Sequence, residues 1–111
     1  MAGKKIGSST VLLQLKPSII STAAIAGPLE GMGPFRGYFD EVLDDDKCGQ
    51  PSYEKAESMI LRKAIDTAIN KSELNETDID IMLGGDLLNQ IISASFAARE
   101  YVIPFLGLYG A

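Results

Sequence analysis

The amino-acid sequence predicts an α/β fold in which short aliphatic strands alternate with helices. The chain of 111 residues is 46% hydrophobic and 23% charged, a composition typical of folded soluble proteins. Several aliphatic runs are bounded by glycine or proline, as expected of strands. Two longer stretches place apolar side chains three and four residues apart, which indicates helices. Strands and helices in alternation favour parallel pairing with helical crossovers.

The first third of the chain predicts two strands and a loop. Residues 10–15 and 19–26 are aliphatic and are separated by Pro17, which interrupts regular structure. Residues 27–37 contain four glycines and two prolines, so we expect a long loop. Part of this loop, residues 31–37, is similar to a dinucleotide-binding fingerprint. Its last glycine comes one residue late and the strand-to-helix setting is missing, so a turn-forming loop is the better interpretation.

The clearest helix begins after Ser52, whose hydroxyl can cap the first turn. Glu54 and Glu57 lie near its positively polarised end, where carboxylates are favourable. Apolar side chains recur at helical spacing and predict one broad buried face. These residues are Tyr53, Ala56, Ile60, Leu61, Ala64, Ile65, Ala68 and Ile69.

The last third predicts a strand, a helix and a strand. Residues 79–83 are short and aliphatic and are followed by two glycines. Residues 87–101 form the predicted helix, and their many small side chains would let neighbouring backbones approach closely. Pro104 ends this helix, and residues 105–109 predict a buried strand. The chain stops directly after this apolar strand, so we expect it to be cut from a larger domain.

A ligand crevice is expected where the predicted strands end. Ligands of open α/β sheets bind outside the carboxyl ends of the strands, which selects Gly84-Gly85-Asp86 and residues 107–111. These two segments should be neighbours. Glycine lets a backbone or ligand come close, and the Asp86 carboxylate could face the crevice. Asp86 is also a good helix N-cap, which is its more ordinary role, and both roles can coexist.

The composition argues against several other functions. The net charge of −5 and the absence of a Lys/Arg cluster disfavour nucleic-acid binding. The sequence has no histidine, so the usual general base and the commonest metal ligand are missing. Cys48 follows three aspartates that oppose a thiolate, and the aspartates lack the spacing of a calcium loop. We therefore predict no catalytic residue, no metal site and no cofactor.

The segment from Asp80 to Ala111 carries a longer pattern that identifies a family. Residues 85–90, Gly-Asp-Leu-Leu-Asn-Gln, together with 96–99 and 103–111, are similar to the stage V sporulation protein AD family. The resemblance covers residues 19–111 and is loose over residues 1–18. It implies a thiolase-like layered fold of which this chain supplies only the N-terminal part of the first half. It also implies that a cysteine at the thiolase nucleophile position would come directly after Ala111.

The resemblance further implies a function in sporulation. Proteins of this family bind dipicolinic acid, alone or as its calcium chelate, and support its uptake into the developing spore without catalysis. Gly85, Asp86 and Ala111 would lie at the ligand pocket. Expected partners are other proteins of the same sporulation operon, including membrane proteins, and a second copy in a full-length homodimer. The expected location is the cytoplasm or the periphery of the spore inner membrane.

Two points stay open from the sequence. An acyltransferase or condensing enzyme of the thiolase superfamily is the alternative function, and it would need a cysteine and histidines beyond Ala111. Dipicolinate is also a dianion, which the Asp86 carboxylate would repel. We expect a bound calcium ion or a protonated Asp86 to offset this repulsion, because buried like charges shift their protonation or recruit cations.

The 111 residues alone should not fold well. Part of a layered domain leaves a sheet edge and an apolar helix face uncovered, so we expect the isolated chain to aggregate or stay partly unfolded as a non-functional product. Size-exclusion chromatography and thermal melting test this. A monomer with one cooperative melting transition would contradict the expectation.

Overall fold

The computed structural model describes residues 3–110 and confirms a mixed α/β architecture. Two 3₁₀ turns, Arg36–Tyr38 and Glu76–Asp78, accompany the regular elements. In chain order the strands and helices are β1 Gly3–Ile6, β2 Thr10–Leu13, β3 Ile25–Ala26, α1 Pro28–Gly31, β4 Glu41–Val42, α2 Tyr53–Ser72, β5 Met82–Gly84, α3 Ile92–Ala98 and β6 Phe105–Gly107.

The first two strands form an antiparallel hairpin in which Gly3 pairs with Leu13 and Ile6 with Thr10. The predicted strand over residues 10–15 is therefore found, although it ends at Leu13. Its partner β1 was not predicted, because its two lysines interrupt the aliphatic pattern. Every residue of the hairpin is exposed. The radius of gyration, 15.8 Å, accordingly exceeds the roughly 13 Å expected of a compact domain of this length.

Strands β3 and β4 form a short parallel pair that corrects two sequence predictions. Only Ile25–Ala26 of the predicted strand 19–26 is extended and paired. The predicted loop 27–37 contains α1, which begins at Pro28 because proline suits the first turn of a helix. A Cβ on Gly31 would lie 2.2 Å from Val42 Cγ1. Glycine is therefore needed where α1 packs against β4.

Helix α2 begins where the sequence predicts. The Ser52 hydroxyl accepts a hydrogen bond from the Lys55 N–H at 3.3 Å, which satisfies one free amide of the first turn. Ala56, near the start of the helix, is only 1% exposed. Tyr53 is 50% exposed, so the predicted buried face is covered only in part.

Helices α2 and α3 pack closely through small side chains. The Ser58 hydroxyl donates to the Ser93 carbonyl at 2.9 Å, and the Ser93 hydroxyl donates to the Glu54 carbonyl at 3.4 Å. Ala94 and Ala97 are buried in the same contact. The predicted close approach is therefore confirmed. The predicted helix 87–101 is wrong in length, because α3 spans only Ile92–Ala98.

Strands β5 and β6, which precede and follow α3 in the chain, pair with each other in parallel. Met82 pairs with Phe105 and Gly84 with Gly107, so the predicted strands 79–83 and 105–109 are present over shorter ranges. Leu83 and Leu106 are 60% and 55% exposed, whereas Met82 and Phe105 beside them are half-buried, as expected of side chains that alternate between two faces. One face of this pair is therefore open.

Within residues 3–110, no helix combines the length and the apolar character needed to cross a bilayer.

The α2–α3 contact predicts a strong size limit at Ser93, which is 2% exposed. Ser93→Leu should destabilise the protein by about 1–3 kcal/mol, because extra methylenes would force the two helices apart. Ser93→Ala should cost less than about 1.5 kcal/mol, since it removes one long hydrogen bond and adds no volume. Urea unfolding measures both variants. Equal stability of the leucine variant and the wild type would contradict this packing.

Candidate functional site

The two segments predicted to flank a crevice are neighbours in the structure. Gly84 pairs with Gly107 at the ends of β5 and β6, and the Leu108 N–H donates to the Gly84 carbonyl at 2.7 Å. The chain after β6 stays beside this edge as far as Gly110, which is solvent-exposed. Ala111, the third predicted ligand-binding residue, lies outside the described residues. The carboxyl ends of these two strands thus form one open edge.

Asp86 is buried at this edge, with 6% of its surface exposed. Its Oδ1 accepts a hydrogen bond from the Ile91 N–H at 3.1 Å, and its Oδ2 accepts one from the Ala94 N–H at 2.7 Å. Asp86 is therefore not the N-cap residue that the more ordinary interpretation predicts, since Ile91 holds that position, but its carboxylate accepts N–H groups at the start of α3. The helix begins at Ile92, however, and not at residue 87. Both carboxylate oxygens already have backbone partners.

The segment 87–91 is a loop because two of its residues have left-handed backbones. Gln90 has φ 34° and Ile91 has φ 78°. Positive φ is unusual for any residue except glycine, and for β-branched isoleucine it is a genuine outlier. Such a residue costs about 1–3 kcal/mol and persists only where its surroundings impose it. The hydrogen bond from the Ile91 N–H to Asp86 is one such restraint.

The Ile91 side chain lies directly on Gly107 of β6. A Cβ at Gly107 would lie 3.1 to 3.3 Å from three carbons of the Ile91 side chain, closer than ordinary packing allows. Glycine at this position therefore lets the loop approach the strand. The backbone of Gly107 itself needs no special conformation, since its φ lies outside the left-handed range.

Gln90 ties the same loop to the turn that follows β6. Its Oε1 accepts a hydrogen bond from the Gly110 N–H at 2.7 Å. Gly110 has φ 77°, a conformation that favours glycine. Sequence reasoning did not single out Gln90. The only signal for it was its place in the Gly-Asp-Leu-Leu-Asn-Gln motif.

Glu57 of α2 supports the loop from the opposite end. Its Oε1 accepts a hydrogen bond from the Leu87 N–H at 3.1 Å, thirty residues along the chain. Its Oε2 is buried and has no hydrogen-bond partner among residues 3–110. The sequence placed Glu57 near the N-terminus of α2, but spacing could not show that it reaches the loop after Asp86.

Gly85 borders a small apolar cavity rather than an open groove. The cavity, of about 100 Å³, lies between the helices and the β5–β6 pair. A larger groove, of about 310 Å³, lies between α2 and α3 and is lined by Arg62, Phe96 and Arg99 among others. Neither Asp86 nor Gln90 lines that groove. The strand ends and the α2–α3 groove are therefore separate features.

The acidic segment 44–46 stabilises a turn through its middle residue, Asp45. Asp45 Oδ1 accepts a hydrogen bond from the Lys47 N–H at 2.8 Å, and its Oδ2 accepts one from the Gly49 N–H at 3.1 Å. Cys48 lies in this turn and is half-buried, with φ 51°. Across the described part of the chain, no three His, Cys, Asp or Glu residues are grouped as a metal site would require.

Comparison with known proteins places the whole site within one matched region. The family model for stage V sporulation protein AD matches residues 7–111. The chain is also 39% identical over 108 residues to stage V sporulation protein AD of Bacillus subtilis (strain 168). That alignment covers 97% of this chain and 32% of the relative. The chain therefore spans about a third of the length of this curated relative.

The capping bonds of Asp86 predict a large effect of its removal. Asp86→Ala should destabilise the full-length protein by about 2–4 kcal/mol, because two N–H groups at the start of α3 would lose a charged acceptor. Asp86→Asn should have a smaller effect, since its one carbonyl oxygen can still accept a hydrogen bond. Urea unfolding measures both variants.

Asp80→Ala is the matched control for this experiment. Asp80 is exposed just before β5, so its substitution should change stability by no more than about 0.5 kcal/mol. If Asp86→Ala were as stable as this control, the capping role of Asp86 would be wrong.

Proposed function

Because this chain belongs to the stage V sporulation protein AD family, we propose that it contributes to dipicolinic acid binding and uptake during spore formation. The ligand would bind outside the carboxyl ends of β5 and β6. The observation that carries this proposal is that the end of β5 meets the segment after β6, where Gly84 accepts the Leu108 N–H and Gln90 accepts the Gly110 N–H. Ligands of parallel α/β sheets bind at this position.

A thiolase-like layered fold is part of the same proposal. The β5–β6 pair is parallel, and its face carrying Leu83 and Leu106 is open. Parallel strands are normally covered on both faces, so a further layer is expected against these two leucines. The relative is about three times as long as the aligned region, since the alignment covers 32% of it. The remainder of such a protein would supply the other walls of the pocket.

The geometry of Asp86 suggests how it acts. Both of its oxygens accept backbone N–H bonds, so it orders the loop 87–91 instead of presenting a free carboxylate. We therefore assign Asp86 a positioning role at the pocket. These two hydrogen bonds reduce the electrostatic repulsion between Asp86 and a dianionic ligand. A calcium ion chelated by the ligand would reduce the repulsion further.

The assembly belongs to the proposal as well. It comprises a homodimer of the full-length protein and association with other proteins of the sporulation operon, including membrane proteins. The proposed location is the cytoplasm or the periphery of the spore inner membrane.

Isothermal titration of the full-length protein with dipicolinate tests the function, in the presence of calcium and of a calcium chelator. Asp86→Asn should bind at least about tenfold more weakly, a loss of about 1.4 kcal/mol, because the loop at the pocket would lose part of its anchor. Asp80→Asn is the control with the same loss of charge and should bind like the wild type. Thermal melting first checks that both variants are folded.

The possible outcomes separate the claims. No binding by the wild type under either condition would refute dipicolinate binding. Equal affinities of the Asp86 variant and the wild type would refute the site alone. Acyl transfer from a thioester, followed as release of free thiol, would favour the condensing-enzyme alternative.

A further inference from the structure

In the Gln90 side-chain amide, the carbonyl oxygen accepts a hydrogen bond and the nitrogen donates none within the described residues. The atom that faces the Gly110 N–H must be an acceptor, which identifies it as the carbonyl oxygen Oε1. The amide nitrogen Nε2 then carries two N–H donors. Gly110 is the only hydrogen-bond partner of the Gln90 side chain among residues 3–110, and Nε2 is not among the buried unpaired atoms. Nε2 is therefore not fully buried.

The position of this amide is set from both sides. On one side, the left-handed backbones of Gln90 and Ile91 are held by the hydrogen bond from the Ile91 N–H to the buried Asp86. On the other side, the Gly110 N–H fixes the carbonyl end of the amide. A donor held in place before binding loses less conformational freedom when a ligand arrives. This amide is thus pre-organised beyond the carboxyl ends of β5 and β6.

We propose that Gln90 Nε2 donates a hydrogen bond to a carboxylate of the ligand bound at this edge. The inference rests on the proposed function and names a residue of the pocket that recognises the ligand. A neutral amide suits this place because it can donate to an anion. A lysine or arginine here could instead pair with Asp86 and disturb the bonds that hold the loop. The chemical class recognised is a planar aromatic carboxylate, with dipicolinate as the probe.

Gln90→Glu separates recognition from structure. Glutamate has nearly the same shape and keeps an oxygen to accept the Gly110 N–H, so the loop should stay in place. It replaces the two N–H donors by a second oxygen and adds a negative charge. We expect the affinity of the full-length protein for dipicolinate to fall at least about thirtyfold, because a hydrogen bond to a charged group becomes a repulsion. The melting temperature should change little.

Gln14→Glu is the matched control. Gln14 is exposed beside the β1–β2 hairpin, so this variant has the same change in net charge without a change at the proposed site. It should bind dipicolinate like the wild type. Wild-type affinity in Gln90→Glu would overturn the inference and leave the proposed function standing. Absence of binding by the wild type would overturn both.

A measurement on the wild type guards against misfolding of the variant. In protein labelled with ¹⁵N-glutamine, the side-chain amide signals of Gln90 should shift as dipicolinate is added, since its N–H groups gain an acceptor. Gln90→Met, which keeps the length of the side chain, identifies these signals by their loss. Amide signals of Gln90 that stay unchanged at saturating ligand would overturn the inference.

Discussion

The buried carboxylate of Asp86 holds the second half of this structure together. It accepts N–H bonds from Ile91 and Ala94, and so it joins the end of β5 to the start of α3. Without it, two amide groups would lose their acceptor beside a helix packed against α2. Leaving buried donors unpaired costs more than a typical hydrogen bond contributes. Asp86 therefore fixes the start of α3, while the bonds of Ser58 and Ser93 hold the same helix against α2.

The same carboxylate makes an otherwise unfavourable loop possible. Isoleucine rarely adopts a left-handed backbone, yet Ile91 does so here and packs on Gly107. Gln90 then reaches Gly110 and joins the loop to the turn after β6. Backbone strain that is held by its surroundings is found preferentially at functional sites. The strain at Ile91 therefore supports the assignment of this edge to ligand recognition.

The β5–β6 pair is packed against helices on one face and open on the other. Helices α2 and α3 meet through small side chains, and Ser58 and Ser93 bond across the contact. Leu83 and Leu106 remain more than half exposed on the opposite face of the parallel pair. This imbalance agrees with an alignment that covers 32% of the relative.

The sequence by itself determined the α/β class, the start of α2 at Ser52, the meeting of the two glycine-containing strand ends, and the family. These features follow from local chemistry: helix capping, apolar spacing and a long motif. The tertiary structure alone decided that α3 starts at Ile92, that Glu57 binds the loop after Asp86 and that Gln90 binds the turn after β6. Residues 87–91 have helical spacing, but their hydrogen bonds to Asp86, to Glu57 and to Gly110 impose a loop. Periodicity describes a segment in isolation, whereas these bonds join segments that only the folded chain brings together.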